Sequence, residues 1–127
     1  ALKGTGKFAV SIQSDGDMLM TSSSLWTAAK HRIPFLMVMH NNQSYYNSEE
    51  HGIEVAKFRN RPVENAGIGT HVDDPAVDFA KMAQSFGVSG EGPVRNPADL
   101  RPALERGLKF VKEKQLPYLV DVIAEPR

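Results

Sequence analysis

The sequence contains no cysteine. That excludes disulfides, thiolate nucleophiles and zinc sites built on cysteine. It has no net charge, because 15 Lys and Arg balance 15 Asp and Glu. A protein whose main task is to grip nucleic acid usually presents a basic face, so that class is set aside. Long apolar runs are missing too. The longest covers residues 33–39 and includes Pro34, far short of the roughly 20 residues a membrane-crossing helix needs. Nothing resembles a signal peptide, and a cytoplasmic location is expected. What remains is ordinary for a soluble globule: 127 residues, 41% hydrophobic and 24% charged. That length suits one domain with a buried core.

Residues 7–13 alternate apolar Phe8, Val10 and Ile12 with smaller or polar residues, which predicts a strand. Residues 22–32 place Leu25, Ala28 and Ala29 at helical spacing, with Ser22, Ser23 and Ser24 as cap candidates and Trp26 beside the apolar face. Pro34 stops that helix. The run at 35–39 suits a strand covered on both faces, as in a parallel sheet. Residues 41–47 read as a polar loop, with a weak helix over 48–58. Residues 59–73 read as a mobile surface excursion. Asp74-Pro75 predicts a capped helix running through Phe86, with Gly87 as its stop. A short strand is expected within 88–94. Asn96-Pro97 repeats the cap signal, and Leu100, Leu104, Leu108 and Val111 form a stripe. Pro102 within that helix makes Asp99 the better cap. The last strand covers 118–124. Alternation of strand and helix favours a parallel sheet with helices on both faces, an α/β/α sandwich. Such sheets bind ligands at the carboxyl ends of their strands.

Two of those ends carry unusual residues. One strand runs into Ser14-Asp15-Gly16-Asp17, and the next into His40-Asn41-Asn42-Gln43-Ser44. Asp15, Asn42 and free main-chain carbonyls are hard oxygen donors. That set suits Mg²⁺ or Ca²⁺ and does not suit zinc or copper. With so few carboxylates, the cation welcomes an anionic ligand such as a phosphate. Gly16 lets the backbone approach that ligand closely. Each motif alone also fits plain turn chemistry.

Together they resemble the motif of the thiamine diphosphate-dependent enzymes, Gly-Asp-Gly followed at a set distance by Asn-Asn. Asp15 and Asn42 lie 27 positions apart, the family's usual spacing. Ser14 stands in place of the first glycine, and Asp17 stands where serine is familiar. The text between the motifs, residues 73–88 and the terminal strand are similar to the same family, so the resemblance covers nearly the whole chain. It points to the acetolactate synthase and benzoylformate decarboxylase group. The resemblance implies that Asp15, Asn42 and the Ser44 carbonyl hold Mg²⁺. It implies that Gly16, Asp17, Tyr45 and Tyr46 line the diphosphate of thiamine diphosphate. The cofactor would serve as electron sink for decarboxylating or joining 2-oxo acids, as a lyase or transferase. The chain would be the diphosphate-binding domain, residues 1–127, without its first strand and helix. On this view residues 1–6 are the tail of that helix. The pyrimidine-binding and central domains would lie elsewhere. Expected partners are a 2-oxo acid and the pyrimidine-binding domain of a partner subunit, in a homodimer or homotetramer. The fragment alone is expected to be inactive, and its catalytic residues are not identified.

Two other classes compete. A receiver-like module would use an acidic Mg²⁺ pocket, but it wants a lysine at a later strand end. A phosphatase would use Asp15 as nucleophile with Asp17 two residues on, but it leaves Asn41-Asn42 unexplained. Glu49 and Glu50 read as exposed helix residues, and His31, His40, His51 and His71 lack ligand spacing. Lys57, Arg59 and Arg61 read as a solvated face. Trp26 and the five methionines are expected in the core.

Overall fold

The structure is a computed structural model that describes residue 2 and residues 4–125. Four strands form one sheet: β1 (Val10–Ser14), β2 (Leu36–Asn41), β3 (Ser89–Val94) and β4 (Tyr118–Ile123). Their order is β1-β2-β4-β3, and every pairing is parallel. Helices α1 (Asp15–Thr21), α2 (Ser23–Lys30), α3 (Tyr46–Phe58), α4 (Phe79–Ser85) and α5 (Pro97–Lys114) connect them. No helix among the described residues is long and apolar enough to cross a membrane.

The sheet has two covered faces because successive side chains point to opposite sides. Met37, Met39 and Leu119 pack with Met18 of α1, Leu25 of α2, and Phe79 and Ala83 of α4. Leu36 and Val120 face the other way and pack with Ala103 and Val111 of α5. This is the expected three-layer α/β/α arrangement. Two cores straddle the sheet, which explains the unbroken apolar text of β2.

Several local expectations shift. Residues 4–6 form turns, with Gly4 and Gly6 at positive φ, where a helical tail was expected; Ala1 and Lys3 lie outside the described residues. Helix α1 was not predicted, since Asp15-Gly16-Asp17 reads as a turn. Asp74-Pro75 does not open a helix. That peptide is cis, and Asp73 and Ala76 bridge across it. Helix α4 instead starts after Asp78, whose carboxylate accepts from the Lys81 N–H at 2.9 Å. Gly87 does stop it, at φ +84°. Asn96, and not Asp99, caps α5, accepting from the Ala98 N–H at 3.0 Å. Pro102 is tolerated inside α5 because it and Ala98, whose carbonyl it leaves unbonded, face solvent.

Three apolar assignments change as well. The buried centre of α5 is Ala103, Gly107 and Val111, while Leu100, Leu104 and Leu108 flank it half-buried. Small residues bring the helix close to the sheet. Trp26 is not core: it is 52% exposed, with the Lys30 ammonium 4.7 Å from its ring. Met18, Met37 and Met39 are buried, but Met20 is 69% exposed. On β1, Val10 and Ile12 face the α5 side of the sheet and are exposed, because α5 packs mainly over β2, β3 and β4.

One polar pair is buried beneath the strand ends. Asn41 closes β2 and donates its side-chain N–H to Asp121 Oδ1 of β4 at 3.1 Å. Both residues are almost fully buried. Burial pushes the Asp121 carboxyl above its ordinary value, against the hydrogen bond from Asn41. An acid raised in the folded state stabilises the fold below its unfolded value near 3.8. That contribution fades as pH rises through the higher folded value. The wild-type-minus-Asp121→Asn difference in unfolding free energy should therefore fall as pH rises above about 4. Denaturant titrations across that range check it, and a rising difference would contradict it.

The closeness of α5 gives a second expectation. A Cβ at Gly107 would lie 2.7 Å from Leu36 Cδ1 and 3.0 Å from Tyr118 Cδ1. Gly107→Leu should lower stability by about 1–3 kcal/mol, because the added volume lifts the helix from the sheet. The denaturant midpoint measures this.

Candidate functional site

Parallel pairing in register sets Ser14 opposite His40. The chain leaves both strands at the same end of the sheet, so the two loops meet. Asp15 follows Ser14 directly and opens α1. It is fully buried, and its Oδ1 accepts the Gly16 N–H at 2.8 Å. Asp17 points outward, and the Ser14 hydroxyl donates to its Oδ2 at 2.7 Å. That bond occupies one oxygen of the second carboxylate and ties it to the start of α1.

On the other side, Gln43 takes a left-handed φ of +56° and turns the chain sharply after Asn42. The segment 59–73 then holds the turn from outside. Val72 N–H donates to the Gln43 carbonyl at 2.8 Å, and Tyr45 N–H donates to the Thr70 carbonyl at 2.7 Å. Ser44 and His71 form an antiparallel bridge. The segment expected as a mobile surface excursion is thus bonded to the site loop.

These constraints bring three polar groups to one point. One terminal atom of the Asn42 amide lies 3.0 Å from the Ser44 carbonyl oxygen and 3.2 Å from Asp15 Oδ1. With nitrogen there, Asn42 donates to both acceptors. With oxygen there, three oxygen donors converge and call for a cation to share. The Ser44 hydroxyl is also buried, with no hydrogen-bond partner among the described residues. No cluster of three or more His, Cys, Asp or Glu side chains suited to a metal occurs among the described residues. The convergence depends on an amide and a main-chain carbonyl.

A cleft of about 390 Å³ opens beside this point. Gly16, Asp17, Asn42, Ser44, Tyr45 and Tyr46 line it, and Asp15 lies buried behind them. The seven residues singled out from the sequence are therefore brought together. Sequence reasoning did not assign Met20 and His40 to the site, and both also line the cleft. Their only signal was position: His40 lies at the end of a strand beside the motif, and Met20 lies on the unpredicted α1. Tyr45 crosses between the loops, its hydroxyl donating to the Gly16 carbonyl at 3.2 Å.

Other candidates fall outside. Glu49 is half-buried and turned toward segment 59–73, where the Thr70 hydroxyl donates to its Oε2 at 3.3 Å. Glu50, His51, Lys57, Arg59 and Arg61 are exposed. A larger hollow of about 460 Å³ lies at the opposite end of the sheet, against Phe8, Ile33 and Val111. It is remote from the convergent oxygens.

Known proteins share this sequence pattern and fold. Residues 1–122 match the family described as "Thiamine pyrophosphate enzyme, C-terminal TPP binding domain". The probable acetolactate synthase large subunit of Methanocaldococcus jannaschii is 26% identical over 117 residues, 92% of this chain and 18% of that protein. Among solved structures, a thiamine diphosphate-dependent 4-hydroxybenzoylformate decarboxylase of Rhodococcus jostii superposes with a TM-score of 0.71 at 21% identity, over 99% of this chain and 21% of that one. Benzoylformate decarboxylase from Polynucleobacter necessarius gives 0.68 at 15% identity, over 98% and 21%. At these identities the structures speak for the fold. The chain spans about a fifth of the length of each of these proteins. With the family match running through both loops, the chain belongs to the thiamine pyrophosphate enzymes, as their C-terminal TPP-binding domain.

Proposed function

We propose that this domain binds Mg²⁺ together with the diphosphate of thiamine diphosphate, within a larger enzyme that decarboxylates or joins 2-oxo acids. The observation that carries the metal is the meeting of Asp15 Oδ1, the Asn42 amide and the Ser44 carbonyl. Octahedral Mg²⁺ with bonds of 2.0–2.1 Å separates neighbouring ligand oxygens by about 3 Å. The amide atom of Asn42 lies 3.0 and 3.2 Å from the other two oxygens. The amide oxygen would then face the cation, with the amide turned from its donating orientation. Asp15 would supply the formal charge, and a buried carboxylate gains a counter-ion that offsets its desolvation.

Gly16, Asp17, Tyr45 and Tyr46 would line the diphosphate. The exposed edge of the cleft, with Asp17 held by Ser14, keeps the second carboxylate turned away from the buried oxygens. The cofactor, once bound, supplies an electron sink for cleaving the bond beside a 2-oxo group. The acetolactate synthase-like relative and the decarboxylase folds support this reaction class. The substrate and the reacting groups from other domains, including the pyrimidine-binding domain of a partner subunit in a homodimer or homotetramer, belong to the same proposal. So does an isolated domain without activity of its own.

The competing readings fit the geometry less well. A phosphatase needs an accessible nucleophile, whereas Asp15 is fully buried with Oδ1 already bonded to Gly16 N–H. A receiver-like module wants a lysine at a strand end, and β4 runs out into Ala124 and Glu125.

In the complete protein, thiamine diphosphate should bind only with a divalent cation, and chelation should release it. Asp15→Ala should weaken that binding by about 10- to 100-fold, the range for losing a charge-assisted interaction. Isothermal titration with and without Mg²⁺ checks both. Binding that persists in chelator, or is untouched in Asp15→Ala, would sink the proposal.

A further inference from the structure

The β1–β2 ladder ends at the pair Ser14 and His40. Asp15 and Asn42 lie beyond it, one opening α1 and the other in the loop before α3, yet their polar atoms come within 3.2 Å. A side chain joins those two segments past the end of the ladder. The Tyr45 hydroxyl donates to the Gly16 carbonyl at 3.2 Å. Its ring lies so close to Gly16 that a Cβ there would sit 2.3 Å from Cε1 and 2.6 Å from Cδ1. Gly16 is covalently next to Asp15 and donates its N–H to Asp15 Oδ1. Tyr45 is covalently next to Ser44, whose carbonyl is another of the convergent acceptors. Behind it, the Tyr45 N–H is anchored on the Thr70 carbonyl at 2.7 Å. One tyrosine therefore spans from the neighbour of one candidate ligand to the neighbour of another.

We propose that Tyr45 is a positioning residue of the cation site: its side chain clamps the Gly16 turn against the loop between β2 and α3 and sets the spacing of Asp15, Asn42 and Ser44. The inference rests on the proposed Mg²⁺ site. The ring fills the space that glycine leaves open, so the two residues act as a matched pair. The hydroxyl adds a directional restraint that packing alone lacks. A tyrosine that merely covered the cleft would act in the opposite sense, since removing it would ease cation entry.

Mn²⁺ binding to the complete protein, followed by electron paramagnetic resonance without cofactor, separates these roles. Tyr45→Phe keeps the ring and should weaken Mn²⁺ by about 3- to 10-fold, with only a small fall in the thermal midpoint of the metal-free protein from the lost hydrogen bond. Tyr45→Ala should weaken it by about 10- to 100-fold. Gly16→Ala should also weaken it in the wild-type background, because the new methyl meets the ring. Its effect should largely vanish on top of Tyr45→Ala, where the ring is gone. Full additivity of the two substitutions would overturn the clamp. So would Mn²⁺ affinity in Tyr45→Phe and Tyr45→Ala that matches or exceeds wild type, while leaving the cation site standing. If wild-type protein binds no Mn²⁺, the cation site fails and the clamp fails with it.

Discussion

Parallel pairing of β1 with β2 is the constraint on which the site depends. It sends both chains out of the sheet at the same end, with Ser14 beside His40. An antiparallel pairing would put Asp15 and Asn42 at opposite ends of the molecule. Because the strands are covered on both faces at β2, the register cannot slip without turning Met37 and Met39 out of their core. Hydrophobic burial thus fixes the position of polar atoms that it never touches. The remaining constraints on the site are local: a left-handed Gln43, a backbone bond between Val72 and Gln43, and a buried Asp15.

A second layer of constraint lies beneath the loops. Asn41 and Asp121 are polar residues buried within the sheet. Burying them is costly, and Asp121 Oδ2 has no partner among the described residues. Their bond links the last residue of β2 to the next strand, one position before Asn42. Gly92 lies so close that a Cβ there would sit 2.6 Å from the Asp121 carbonyl oxygen. The two asparagines thus have different surroundings: Asn41 is tied into the sheet, and Asn42 faces the cleft.

Much of this was legible in the sequence because its signals are short-range or tied to spacing. The apolar run of β2, the glycine stop at Gly87 and the proline after Asn96 each mark one local conformation. The distance between the two motifs carries the topology, since only neighbouring parallel strands bring those residues together. Failures occur where one local signal had two physical outcomes. Asp74-Pro75 suits a helix cap and a tight turn alike, and the turn forms, leaving Asp78 to cap α4. Asp15-Gly16-Asp17 reads as a turn, yet it opens a helix held by Ser14 and Asp17. Trp26 sits next to an apolar stripe but on its solvent side, where Lys30 covers the ring. The contact between Tyr45 and Gly16 has no sequence signature, because it spans 29 positions. Tertiary packing alone creates it.

The proposed cation site requires three oxygen atoms, from Asp15, Asn42 and Ser44, to share one divalent cation. The most direct measurement is a crystal structure of the complete protein grown with Mn²⁺ and thiamine diphosphate, with anomalous diffraction at the manganese edge. A shared cation predicts one anomalous peak roughly 2 Å from Asp15 Oδ1, the Asn42 side-chain oxygen and the Ser44 carbonyl. A peak elsewhere, or an Asn42 amide still donating its nitrogen to Asp15 with cofactor bound, would contradict it.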